Sequence, residues 1–375
     1  MIDTVILTVT PLDYQILLHS KFTPSSEILF RQGNYLIKCV NNPTAEDKKE
    51  GIYKPRLTLI KRRRNYCDEI PLKIEFSIPK LLYDNNLDEA SGSEAEFEQV
   101  VMRLHTRLLS MGVLVKREAI ARASVSAFHA SKNISLSGGY TVTMAIKEFA
   151  KVNLTRKLDL TKTKFSNEGH SLQFYANSHS FVIYDKIQDM KKSKGRAVDK
   201  DQTGYQMSLF DDLKKADSHL EVLRFEVRLS KKVKMNSTLE KLGYRRNPQF
   251  KDVFNKDLCQ KIIEMYWHDL VYDTHPFLFD MNNNPLNLLK DVKTKDPNIG
   301  IKEAVYMTGL NLLCKDEGMR ELRSFIETNY SSKAWDRTAK LIKDLNVKFS
   351  NKKPHGFITD IANAIKLFEP MRIKI

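Results

Sequence analysis

The stretch "LEVLRFEVRL" (residues 220–229) decides the fold. From position 223 it alternates strictly, so Leu223, Phe225, Val227 and Leu229 share one side of an extended chain and Arg224, Glu226 and Arg228 share the other. A period of two over that length is the pattern of a β-strand with one face in a core. The same rule applied to "PLKIEFSIPK" (residues 71–80) sets Ile74, Phe76 and Ile78 against Lys73, Glu75 and Ser77. In "NSHSFVIYDK" (residues 177–186), Phe181 and Ile183 go to the core, while Ser178, Ser180, Val182 and Tyr184 go to the opposite face. Three strands thus present one half-polar face with two acids, two arginines and a tyrosine.

Further strand patterns lie at residues 3–9, 34–40, 56–62 and 119–128, and helical patterns at 94–111, 141–152 and 206–216. Strands mixed with helices, without strict βαβ alternation, predict an α+β domain: a largely antiparallel central sheet flanked by helices. After "LEKLGYRRNPQF" the character changes, and from residue 256 onward the chain reads as helices separated by Gly and Pro breaks. The expected division is an α+β domain over residues 1–245 and an all-helical C-terminal region over 250–375. In the latter, a break at Gly318 with Arg320 and Arg323 on the following helix fits either a DNA-docking helix-turn-helix or a plain helical hairpin.

Charge narrows the partners. Lys and Arg number 61 against 46 Asp and Glu, a net charge of +15 that attracts polyanions, so nucleic acid is the first partner to expect. The cysteines, Cys39, Cys67, Cys259 and Cys314, stand far apart and suggest neither a zinc knuckle nor a disulfide framework. No apolar run reaches membrane-spanning length and the first residues lack a signal-peptide layout, so a cytoplasmic protein without a membrane partner is expected.

Two readings of the half-polar face stand side by side. A Glu flanked by two Arg is an ordinary ion-paired sheet surface, and a strand-end Tyr is commonly a half-buried aromatic with a wet hydroxyl. The same groups also suit one reaction: a phenol as nucleophile, carboxylates to hold a divalent metal, and cations to hold phosphate oxygens.

Several short blocks favour the second reading. "MID" ahead of a strand, "IEFSIPKLLYDNNLDE" (residues 74–89), "IAR" opening a strand at Ile120, "FVIYDK" (residues 181–186) and "LRFEVRL" (residues 223–229) occur in the order and spacing of a known family. Over residues 1–245 the chain resembles the gene II/X replication initiators of filamentous phages and related bacterial plasmids, which are similar to a broader class of rolling-circle initiators. The resemblance implies a site-specific endonuclease that nicks one strand at a replication origin and becomes joined to the 5′ phosphate. It further implies origin DNA as substrate, duplex and single-stranded, a host helicase and polymerase as partners, and the cytoplasm of a bacterial host as the setting.

By direct match the tyrosine of the Tyr-x-Lys block is Tyr184, with Lys186 beside it to steady a phenolate or bind phosphate. Glu75 and Glu226 are the expected ligands for Mg²⁺ or Mn²⁺, being hard oxygen donors. The chain departs from the family in two places. Its nine histidines include no His-hydrophobic-His pair, and "ARASVSAFHASKN" keeps Arg122 but has Ser124 where an Asp would stand. His129 is the substitute third ligand, although strict alternation places it with Val125 and Ala127 on the core side unless a bulge re-aims it. His179 falls on the wrong parity. DNA-backbone contacts are expected from Arg122, Lys132, Arg224 and Arg228, and from the basic loop carrying Lys191, Lys192, Lys194 and Arg196, with "KRRRNY" (residues 61–66) as a second basic loop. The competing class is a non-catalytic origin-binding initiator or repressor, in which Tyr184 is structural.

Overall fold

The alternating segments do become strands. The computed structural model describes residues 1–31, 37–44, 46–47, 51–64, 67–154, 159–166, 169–191, 220–272, 276–348 and 353–372. The first part of the chain supplies β1 (Ile2–Val9), β2 (Tyr14–Ile16), β3 (Lys38–Asn41), β4 (Arg56–Ile60), β5 (Arg62–Arg64), β6 (Cys67–Glu69) and β7 (Leu72–Ser77). Then come β8 (Val113–Val115), β9 (Ser124–Ser135), β10 (Asp159–Ser166), β11 (Ser171–Tyr175), β12 (His179–Asp185) and β13 (Val222–Leu229).

Nine strands form one sheet in the order β10, β11, β12, β13, β9, β1, β7, β4, β3. Every neighbouring pair is antiparallel. β2 pairs with β8, and β5 with β6, as separate two-stranded ribbons. Within the "KRRRNY" stretch, Arg62–Arg64 form β5, where Arg62 faces Glu69 and Arg63 faces Asp68, and residues 65–66 lie outside the described residues.

One expected strand is a helix at its start. "AIAR" belongs to the helix Arg117–Arg122, and β9 begins only at Ser124. The Ile120 amide donates to the Lys116 carbonyl at 3.0 Å, as a helix requires, and Ala119 and Ile120 are both buried. β10 and β11 extend the sheet beyond the expected strands. Residues 34–36 of one expected strand, the helix expected over 206–216, and most of the basic loop lie outside the described residues.

Helix starts carry local signals. Ser93 accepts a hydrogen bond from the Glu96 amide at the start of Glu94–Ser110, Thr141 does so for Met144 in Val142–Ala150, and Asn255 for Leu258 in Lys256–Trp267. The last two helices, with Gly356–Leu367, cover the apolar side of the sheet. There Phe225 meets Phe149 at 5.9 Å and Trp267 at 5.7 Å, while Phe181 meets Tyr266 at 5.6 Å. Burying each such ring contributes about 2 kcal/mol. The helical region lays apolar faces on the sheet, and among the described residues one hydrophobic cluster runs from Met1 to Phe368.

The break at Gly318 is docked rather than open. Gly318 has φ of +87°, a Cβ there would come within 2.9 Å of the Lys151 backbone, and the Met319 amide donates to the Lys151 carbonyl at 2.8 Å. Arg323 pairs with Glu327 at 2.9 Å, and Arg320 with Glu321 at 3.2 Å. Among the described residues, no helix is long and apolar enough to cross a membrane.

Candidate active site

The face opposite the core is built from four adjacent strands, β12, β13, β9 and β1. Across β12 and β13, Tyr184 faces Arg224, Val182 faces Glu226 and Ser180 faces Arg228. Across β13 and β9, Glu226 faces Ser131 and Arg228 faces His129. Strict alternation therefore brings Tyr184, Arg224, Glu226 and Arg228 onto one patch, as the sequence predicts.

Two irregularities complete it. Ile6 faces Ala127 but Leu7 faces Val125, so β9 carries one extra residue at Ser126 and its parity flips beyond that point. Phe128 and Ala130 then go to the core, and His129 turns to the Tyr184 face. In β1, Ile2 faces Ala130 and Val5 faces Phe128, so Asp3 and Thr4 together span the single residue His129. This second bulge carries Asp3 off the parity of Val5 and Leu7 and onto the same patch. Ligand atoms of Asp3, His129 and Glu226 lie within 4.8 Å of one another.

Glu226 is the hub. Its Oε1 accepts from Arg228 Nε at 2.8 Å and lies 3.2 Å from His129 Nδ1, while its Oε2 accepts from the Tyr184 hydroxyl at 2.9 Å. Burial acts to raise its pKa, but Arg228, His129 and Arg224 outweigh that and hold the carboxyl well below the usual range. Asp3 is likewise held ionised: burial opposes charge, and Arg224, 2.9 Å away, overrides it. The Tyr184 phenol is pushed well above its ordinary value by burial, against the pull of Arg224 and with Glu226 adding to the rise. Lys186 opens the helix Lys186–Lys191 with its Nζ 5.7 Å from the Tyr184 ring centre. Burial, with Arg224 nearby, brings its pKa down to about 7.

Other expected site residues fall elsewhere. Glu75 faces Ile6 in β1 and Arg56 in β4. It is three strand spacings from Glu226, about 14 Å at the usual separation, so it cannot share an ion with it. Asp3, not Glu75, lies within reach of His129 and Glu226. Arg224 is 1% exposed, and its guanidinium donates to Asp3, to Ser131 Oγ at 3.0 Å and to the Asn86 carbonyl at 3.0 Å. It braces the patch from within and is not a DNA contact.

Lys132 is corrected for the opposite reason. Beyond the β9 bulge it shares the core parity of Ala130 and Ile134, is 3% exposed, and donates to Glu89 at 2.8 Å. Arg122 sits at the end of its helix before β9, bonded to the Glu118 carbonyl at 3.3 Å in a groove with Glu94, Glu98 and Lys251. That removes it from the Tyr184 patch. Arg228, a third exposed at its side chain, stays at the rim where a phosphate can reach it. Lys191 ends the helix after Tyr184, whereas Lys192, Lys194 and Arg196 lie outside the described residues. His179 packs edge-on against Tyr266 on the helix side, as its parity predicts.

The block 74–89 has a part that its sequence did not disclose. Its end crosses the paired ends of β13 and β9: the Asn86 carbonyl receives Arg224, the Leu87 carbonyl receives Asn133 Nδ2 at 2.7 Å, and Glu89 pairs with Lys132. The first of these contacts holds Arg224, which in turn pairs with Asp3.

In chemical terms the fold and patch define a class: an antiparallel-sheet protein holding a neutral phenol against a carboxylate that also belongs to an Asp–His–Glu group. No known protein family, characterised protein or solved structure matches the chain. The likeness to replication initiators therefore rests on the short sequence blocks alone.

Proposed function

We propose that the chain is a rolling-circle replication initiator, a metal-dependent enzyme that nicks and rejoins one DNA strand at an origin through Tyr184. The observation that carries this reading is the 2.9 Å hydrogen bond from the Tyr184 hydroxyl to Glu226, set beside the Asp3, His129 and Glu226 cluster. Two carboxylate oxygens and one imidazole nitrogen are a donor set that Mn²⁺ or Mg²⁺ accepts, and the two negative charges match a dication. Asp3, His129 and Glu226 would hold the ion, which when bound stabilises negative charge on the scissile phosphate.

The chain's own groups supply the rest. Glu226 fixes the phenol hydrogen and so aims the oxygen. In the nicking step a bond forms between Tyr184 Oη and phosphorus while the bond from phosphorus to the 3′ oxygen breaks. The phenol loses its proton and the departing 3′ oxygen gains one. With its pKa near 7, Lys186 has charged and neutral forms both accessible at neutral pH, which suits it to settle the phenolate. Arg228 at the rim offers a cation to a phosphate oxygen. Because the phosphotyrosyl bond conserves the energy of the broken linkage, attack by a 3′ hydroxyl reverses the step and rejoins the strand.

A free 3′ end would serve a host polymerase once a helicase opens the duplex, in the cytoplasm of a bacterial host. The net charge of +15 is consistent with a DNA substrate. The test is nicking of a supercoiled plasmid bearing the cognate origin, with Mn²⁺ or Mg²⁺, followed by mass analysis for a nucleotide on Tyr184. Wild type nicks and carries the adduct, and Tyr184→Phe does neither. Equal nicking by both proteins would remove Tyr184 from the reaction, and origin binding without any nicking would leave a non-catalytic initiator or repressor.

A further inference from the structure

The helix Ile301–Asp316 turns an apolar stripe to solvent. Ile301 is 68% exposed, Val305 54%, Tyr306 51% and Leu313 51%. Its inner face is satisfied in the core by Ala304, Met307, Leu310 and Cys314. A helix apolar on both sides is normally covered on both.

What covers the outer side is encoded in the symmetry of the stripe. Gly309 lies at its centre, and nothing stands within 4 Å of where a Cβ would be, so the helix surface has a notch there. Counting out from Gly309, Val305 and Leu313 sit four residues either way, and Tyr306 and the half-buried Leu312 three. Lys302 and Asp316, both exposed, sit seven either way, with opposite charges. When two identical helices cross antiparallel at residue 309, position i meets position 618 minus i. Val305 then packs on Leu313, Tyr306 on Leu312, and Lys302 faces Asp316, each contact made twice by the two-fold axis. Glycine opposite glycine lets the helix backbones approach closely, as small residues do at tight helix crossings.

We propose that this stripe is the self-association surface of the protein, pairing the helix Ile301–Asp316 with its copy in a second chain as an antiparallel dimer crossed at Gly309. The pairing is independent of the nicking reading, since none of its residues belongs to the Tyr184 patch. A single helix pair lies at the small end of interface sizes, so the dimer exchanges with monomer.

Sedimentation velocity of the full chain over a concentration series tests this, with circular dichroism to verify that each variant is folded. Wild type shows a monomer–dimer equilibrium. Gly309→Gln, filling the notch at an open surface position, shifts it to monomer. Lys302→Glu or Asp316→Lys alone places like charges together at both ends and weakens dimerisation roughly tenfold, and the two together restore it. Monomer at every concentration overturns the proposal, as does a dimer indifferent to Gly309→Gln or a charge swap that fails to restore association.

Discussion

Tyr184 and Glu226 lie on neighbouring strands two residues out of direct register, and the phenol reaches diagonally to donate to the carboxylate at 2.9 Å. Tyr184 itself faces Arg224, so one residue sits opposite a cation and bonded to an anion. The two side chains carry unequal structural weight. Tyr184→Phe removes one of several contacts to Glu226, whose carboxylate keeps Arg228 and His129, and is expected to cost about 1 kcal/mol. Glu226→Ala leaves Arg224 and Arg228 without their shared anion in a buried patch and is expected to cost about 3 to 5 kcal/mol. Urea unfolding of the two variants measures the difference. Equal losses would mean that the phenol braces the patch, which would count against a reacting role.

Metal binding separates the observed cluster from the one expected from sequence. With Mn²⁺ at a hundredfold excess over its Kd, wild type gains about 2.7 kcal/mol of stability, read as a rise in melting temperature. Asp3→Asn and His129→Ala each lose most of that rise, because each removes one of three ligands. Glu75→Gln keeps it in full, being three strands away. A rise abolished by Glu75→Gln and untouched by Asp3→Asn would place the ion elsewhere.

Lys132 and Glu89 make a buried pair at 2.8 Å, tied to the end of the chain by the Met371 amide on Glu89 at 2.9 Å and the Glu369 carbonyl on Lys132 at 2.8 Å. Lys132→Met strips the counter-charge from a buried carboxylate and is expected to cost about 3 to 5 kcal/mol. The double variant with Glu89→Leu removes the stranded charge and recovers part of it. DNA affinity of the folded single variant, measured at fixed salt, stays within experimental scatter of wild type. A drop in affinity without a drop in stability would return Lys132 to the phosphate-contact role that the structure denies it.

What could be read from the sequence depended on unbroken alternation. Tyr184, Arg224, Glu226 and Arg228 lie on regular strands, and counting by two places all four. Asp3 and His129 lie across from each other at two bulges, and one extra residue in a strand inverts every face assignment beyond it. The same shift hid Lys132, which counting from Val125 places outside and which the flipped register turns inward. The expected strand over 119–128 begins as helix through Arg122, because a short apolar segment fits either period and tertiary packing decides between them. The block 74–89 was conspicuous as a pattern, yet its carbonyl contacts to Arg224 and Asn133 leave no trace in residue type. The helical tail is legible as helices, but which surface each covers is not, because an amphipathic helix does not declare what it packs against.

His179 gives a pH dependence with a determined sign. Burial, with Lys234 nearby, lowers its pKa from the ordinary 6.5 to about 4, so the fold holds the ring neutral against Tyr266. Above pH 6.5 neither the folded nor the unfolded chain protonates it, and it adds no slope. Between pH 6.5 and 4 the unfolded chain takes up a proton that the folded chain refuses, so stability falls as the pH falls. Below that window both states bind the proton and its contribution levels off. His179→Phe keeps an aromatic edge for Tyr266 and has nothing to titrate, so its stability should decline less than that of wild type between pH 7 and pH 4.5 in paired urea titrations. Lys234→Met removes the second cause of the low pKa and should reduce the slope part-way. Parallel curves for wild type and His179→Phe would show that the ring is protonated, and accommodated, in the folded protein.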